Sequence, residues 1–132
     1  MIPHSVLNDI SIHAILNAVS DACIVSDPDG FITLWNDGAE NLYGFTANDV
    51  LGKHYSILHQ YTEEEKEFSR AIILNQQSSP FQREVRHRHR NRAGLLLLSS
   101  VTVLHDTEGA VRGFLYINRN ISGERKSERD ML

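Results

Sequence analysis

Hydrophobic and polar positions change their period several times along this 132-residue chain. From Ser5 to Val19, the residues Leu7, Ile12, Ile15, Leu16 and Val19 recur at roughly helical spacing. This predicts an amphipathic helix, weakened in its middle by Ser11 and by β-branched residues. "ACIVSDPDGFITLWN" then predicts a hairpin from Ala22 to Asn36, reversing at Asp27-Pro28-Asp29-Gly30. There Pro presets φ and Gly accepts a positive value. From Asp37 to His59 the chain reads as short helical turns punctuated by Gly44 and Gly52, and Thr46 followed by Asp49 has the pattern of a capping box. Thr62 to Gln77 predicts a longer helix. Thr62 is its N-cap, Glu63 to Glu65 sit at the positive end of its dipole, and Phe68, Ile72 and Glu65 share a face. Strands are predicted over Phe81–Arg90, Leu95–Leu104 and Val111–Ile121, with Gly94 and Gly109 at the reversals "NRAG" and "DTEG".

Five strands with helices inserted between the second and third make an α+β fold, an antiparallel sheet with helices on one face. Alternation sorts the last three strands into rows. Phe81, Arg83, Val85, His87 and His89 share one side of their strand, while Gln82, Glu84, Arg86, Arg88 and Arg90 share the other. Leu97, Ser99, Val101 and Val103 alternate with Leu96, Leu98, Ser100 and Thr102. Phe114, Tyr116 and Asn118 alternate with Leu115 and Ile117. Leu96, Leu98, Leu115 and Ile117 together form an apolar patch that needs a cover. The Ser5–Val19 helix is the expected cover, its own or one exchanged with a second copy, and a homodimer packed through this face is the expected assembly.

Composition narrows the function. A net charge of −4 does not favour nucleic acid or anionic lipid in bulk. Arg86, Arg88 and Arg90 line one face, but no aromatics interleave with them as a single-stranded nucleic-acid platform requires. The single cysteine, Cys23, allows no internal disulfide and no Cys-rich zinc site, and it is expected as a small core residue. No apolar run approaches the ~18 residues of a membrane span. The opening "MIPHSVLND" has no basic segment leading into an apolar one, so no signal peptide is expected and a cytoplasmic location is. His87 and His89 supply two nitrogens at i and i+2 where a zinc site wants three or four ligands, so no metal site is expected. A Gly-rich phosphate loop, a paired His-acid motif and an activated nucleophile are all missing, so catalysis is not expected.

The order of elements resembles the PAS family of sensor domains, and so do several stretches within it. These are "DACIVSDPDGFITLWNDGAENLYGFTANDVLGK", then "HRNRAG", then "VRGFLYINRNISGERKSE", covering about Asn17 to Ser127. The resemblance implies a non-catalytic sensory and dimerisation module of a signalling protein such as a sensor kinase, a cyclic-di-nucleotide enzyme or a transcription regulator. It divides the chain into an N-terminal helix (1–19), the PAS domain (20–121) and the start of a signalling helix (122–132) leading to an effector. It turns one row of each strand towards a cavity between sheet and helices. The candidate pocket is then Ile24, Leu34, Tyr43, Val85, His87, Ser99, Val101, Phe114, Tyr116 and Asn118, with His89 nearer the solvated hairpin tip. A few polar groups in an apolar lining suit a small-molecule ligand.

Signal relay is expected at Asn120, Ser122 and Glu124. The family's signature has Asp and Thr where this chain has Asn120 and Ser122, so a hydrogen bond can form at this junction but an ion pair cannot. Tyr55 stands where the resemblance puts the reactive thiol of the family's flavin photosensors, so a covalent flavin adduct is not expected. No cofactor is indicated. The alternative is a haem-binding gas or redox sensor, with His54 or His59 as the iron ligand.

Overall fold

The computed structural model describes residues 11–60 and 80–123. The predicted helix Thr62–Gln77, the first part of the N-terminal helix with Leu7, and Glu124 lie outside these residues. Helix α1 spans Ile12–Asn17, β1 Ala22–Ser26, β2 Ile32–Trp35, α2 Asp37–Tyr43 and α3 Ala47–Val50. A 3₁₀ turn covers Tyr55–Leu58, and β3 (Phe81–Arg88), β4 (Gly94–His105) and β5 (Val111–Asn120) complete the order. The strands form one five-stranded antiparallel sheet in the order β2-β1-β5-β4-β3. Ala39 and Tyr43 of α2, Val50 of α3, and Tyr55 and Leu58 of the 3₁₀ turn bury themselves with Ile24, Val85, Leu97, Val101 and Phe114 of the sheet. The helices therefore cover one face, as expected.

Ser11, predicted to weaken the middle of the first helix, is instead the N-cap of α1, accepting a hydrogen bond from the His13 N–H at 3.1 Å. Its short hydroxyl competes with the backbone inside a helix but satisfies an orphan donor at a helix start. Ile12, Ile15 and Val19 are 55, 46 and 39% exposed, so the described part of this helix does not bury its apolar side within the chain. The end of α1 is nonetheless tied down. Asn17 Oδ1 accepts the Asp37 N–H at 2.9 Å, and Asn36 Nδ2 donates to the Leu16 and Asp21 carbonyls at 2.9 and 3.1 Å. Asn36 Oδ1 accepts from Cys23 N at 2.8 Å and from Ala39 N at 2.9 Å, the latter capping α2. One buried amide thus joins α1, β1 and α2.

Three hairpin turns share one template. In "DPDG" the Asp27 N–H donates to the Phe31 carbonyl, and Gly30, at φ +93°, donates back to Asp27. In "DTEG" Asp106, Ala110 and Gly109, at φ +87°, repeat the pattern. Each Asp side chain accepts two further backbone N–H groups: Asp29 and Phe31 for Asp27, and Glu108 and Ala110 for Asp106. The third turn corrects the sequence expectation. His89 N donates to Ala93 O, Arg92 N donates to His89 O, and Arg92, not Gly94, holds the left-handed conformation at φ +73°. The reversal therefore begins earlier than expected, β3 ends at Arg88, and Gly94 opens β4 as ordinary strand backbone.

A bulge overturns one inward assignment. Ile32 pairs with Ser26 and Leu34 with Val25, so Thr33 is an extra residue in β2. Val25 in turn pairs with Leu115 on the outer face. Leu34 is therefore buried on the side opposite Ile24 and Trp35, and Ile32 takes the inward place instead. Cys23 pairs with Ile117 and is likewise buried. Burial, followed by the charge of Asp21, pushes its thiol pKa up and keeps it protonated.

Close approach of β1 and β5 fixes another residue. A methyl group on Gly113 would collide with the Ser26 carbonyl. Gly113→Ala is expected to destabilise the domain by about 1–3 kcal/mol, as overpacked cores do. A thermal melt showing a fall of several degrees would bear this out, and an unchanged midpoint would refute it.

Candidate functional site

Alternation on β3, β4 and β5 holds without interruption through the middle of the sheet. It brings Val85, His87, Leu97, Ser99, Val101, Phe114, Tyr116 and Asn118 inward, all buried, together with Ile24 of β1 and Tyr43 of α2. Nine of the ten residues singled out for the pocket thus share the interior, and Leu34 alone does not.

The polar members form a connected chain. Asn118 Nδ2 donates to the Tyr43 hydroxyl at 2.9 Å and to the Tyr55 hydroxyl at 3.1 Å. The Tyr43 hydroxyl stands 2.7 Å from His87 Nδ1. If the hydroxyl, which accepts from Asn118, gives its proton to Nδ1, the imidazole hydrogen lies on Nε2. Among the described residues, His87 Nε2, Ser99 Oγ and Asn118 Oδ1 are buried without a hydrogen-bond partner. Ser99 and Asn118 lie directly opposite each other across β4 and β5. Such orphans are costly, about 1–3 kcal/mol each, unless water or another partner reaches them.

Aromatic rings pack around this chain. Tyr55 stacks on Tyr116 with centroids 3.9 Å apart and planes at 14°, and Tyr116 OH lies 3.3 Å from Ser26 Oγ. Burial pushes the Tyr116 pKa up, partly offset by that Ser26 bond. His59 sits 5.4 Å from His87, ring to ring, and bridges it along the backbone. Loss of water lowers both imidazoles, His59 to about 4 with help from the charge of His54, and His87 to about 3 with help from His59. Both rings are therefore neutral near pH 7.

Sequence reasoning does not place Tyr55 and His59 in the interior. A four-residue 3₁₀ turn shows no period to read, but the correspondence of Tyr55 with a cavity-facing thiol of the family is a usable signal. His54, by contrast, is exposed at the N-cap of that turn. Its Nδ1 contacts Ser56 Oγ at 2.9 Å and its Nε2 contacts the Asp29 carbonyl at 3.1 Å.

The remaining expected residues lie away from this cluster. His89 lies in the hairpin turn, as expected, half-buried, with its Nδ1 accepting the Asn91 N–H at 3.1 Å and its ring close to Gly44. Leu96, Leu98, Leu115 and Ile117 are half-buried on the outer face. Asn120 Oδ1 accepts the Ser122 N–H at 3.0 Å, and Ser122 Oγ accepts from Leu96 N at 3.0 Å. Asn120 thus does make the hydrogen bond that its amide permits. Among the described residues no group of three or more His, Cys, Asp or Glu side chains is gathered to hold a metal ion, and no helix is long and apolar enough to cross a membrane.

An antiparallel five-stranded sheet, closed on one face by short helices over buried hydrogen-bonding groups, defines a small α+β domain of the sensory class. The chain belongs to the PAS domain family, whose profile matches residues 20–123. The PAS domain of a Colwellia psychrerythraea protein is similar, with a TM-score of 0.75 and 27% identity over 81% of this chain and 91% of that one. An RNA-binding light-oxygen-voltage receptor shares the fold with a TM-score of 0.83 at 21% identity, over 98% of this chain and 37% of that one. A variant of RsLOV does so at 0.72 and 17%, over 92% and 70%. "Two-component system protein A" of Emericella nidulans is 39% identical over 57 residues, which is 42% of this chain and 8% of that protein. The chain thus spans under a tenth of the length of that curated relative.

Proposed function

We propose that this chain is a non-catalytic sensory and dimerisation module of a cytoplasmic signalling protein, a sensor kinase, a cyclic-di-nucleotide enzyme or a transcription regulator. In this reading a small polar molecule enters the interior between sheet and helices and shifts the C-terminal junction. The similarity to a two-component protein supports the signalling role. The carrying observation is the set of orphaned polar atoms on adjoining strands. A fitting ligand offers an acceptor to the His87 Nε2 hydrogen and a donor to Asn118 Oδ1, with Ser99 able to serve as either. Ser122 then passes the shift outward, because its hydroxyl is bonded to β4 at Leu96 while its backbone is held by Asn120. The exposed side of α1 and the half-buried patch of Leu96, Leu98, Leu115 and Ile117 support pairing of two copies.

The haem alternative rests on His59, the histidine of the two that faces the interior, since both nitrogens of His54 are engaged elsewhere. One experiment addresses both readings: native mass spectrometry with an absorbance scan of freshly purified protein, repeated on Asn118→Leu and His59→Ala. The small-molecule reading expects a colourless adduct lost in Asn118→Leu. A haem absorption band lost in His59→Ala establishes the alternative. A bare mass in every sample, with no band, removes both.

A further inference from the structure

Away from the interior, four cations gather around one cleft. Lys53, Arg88, Arg90 and Arg92 line a hollow of about 350 Å³ between the hairpin tip and the short helices, with half-buried Phe45 and Ile57 supplying its apolar part and His89 and Asp49 completing it. Among the described residues none of the four cationic side chains makes a hydrogen bond or ion pair; Arg112, by contrast, pairs with Asp106 at a different turn. The single carboxylate of the cleft, Asp49, is already bound to the Thr46 N–H at 2.9 Å. Its pKa is held down first by its Thr46 bonds and only then by the charges of Arg90 and Lys53. Four cationic residues and one acidic residue therefore line the cleft.

Backbone geometry adds an independent observation. Arg92 stands at φ +73°, in the place where the two sister turns carry Gly30 and Gly109. A left-handed arginine is disfavoured relative to glycine. This turn thus carries an arginine where glycine would be less strained, at a residue that lines the cleft together with Arg88 and Arg90.

We propose that this cleft binds a small molecule carrying at least two phosphate groups. Guanidinium forks match phosphate oxygens two at a time, which suits a cluster of three arginines. The volume falls at the lower end of the range for small-ligand sites, about 300–1,000 Å³. A folded protein partner would need about 800 Å² of surface from each side, more than such a hollow offers.

Pyrophosphate is the probe, titrated calorimetrically at about 0.15 M salt, where distant surface charges are screened. The expected result is saturable one-to-one binding, weakened about tenfold by Arg90→Gln and by Arg92→Gly, and unaltered by Arg112→Gln. Arg92→Gly is also expected to raise the melting temperature, because glycine relaxes the turn. Weaker binding in a more stable protein cannot come from unfolding. Absence of saturable binding, equal weakening by Arg112→Gln, or binding of a glutamate-rich peptide without binding of pyrophosphate would each overturn the proposal.

Discussion

Acidification from pH 7.5 to pH 5 is expected to strip this domain of several kcal/mol of stability through two histidines. His59 and His87 have pKa values lowered to about 4 and about 3 in the fold, against 6.5 when exposed in the unfolded chain. Above about pH 6.5 both states hold neutral rings, and these groups contribute no pH dependence. Below it the unfolded chain takes up protons that the fold excludes, so stability falls as pH falls. Each ring costs about 1.4 kcal/mol per pH unit across its window. The loss from His59 levels off near pH 4 and that from His87 near pH 3. A domain near the lower end of ordinary stability, about 5 kcal/mol, has nothing left by then. Urea unfolding at pH 7.5 and pH 5 measures the slope, and a His59→Gln/His87→Gln double variant should flatten most of it. A wild-type midpoint that ignores pH, or a double variant with the full slope, would disprove the account.

Asn36→Ala should be the most damaging single truncation. The amide is 3% exposed and holds five backbone groups around it. Alanine leaves the Cys23 and Ala39 N–H groups without an acceptor and frees the carbonyls of Leu16, Val19 and Asp21. Buried unsatisfied groups at about 1–3 kcal/mol each put the loss at roughly 3–5 kcal/mol. Asn36→Asp should not rescue it, because a carboxylate keeps the acceptor but turns its second oxygen towards three carbonyls. A urea midpoint within experimental error of wild type for either variant would refute the role given to this side chain.

Much of this architecture was legible because the C-terminal strands keep their alternation through the core. His87, Ser99 and Asn118 could be sorted inward from sequence, since a period of two leaves only the choice of side. Leu34 could not, because one extra residue at Thr33 breaks the alternation of its strand, and a bulge is decided by partner strands distant in sequence. Arg92 is not legible for a related reason: glycine marks the left-handed position in two turns, and Gly94 nearby offers a false match. The hub at Asn36 is not legible, since its partners Leu16, Asp21 and Cys23 are brought to it by tertiary folding. The interior cluster was half legible. Its strand members came from the period, whereas Tyr55 and His59 belong to an aperiodic turn.

The pairing of β1 with β5 has a consequence for how such a domain sits in a longer polypeptide. Ala22, where the chain enters the sheet, lies opposite Asn118, two residues before β5 ends at Asn120. Entry and exit are therefore neighbours at one end of the sheet. A domain built this way can be spliced into a continuous helical stalk without displacing the two halves of that stalk, like a bead tied on a thread.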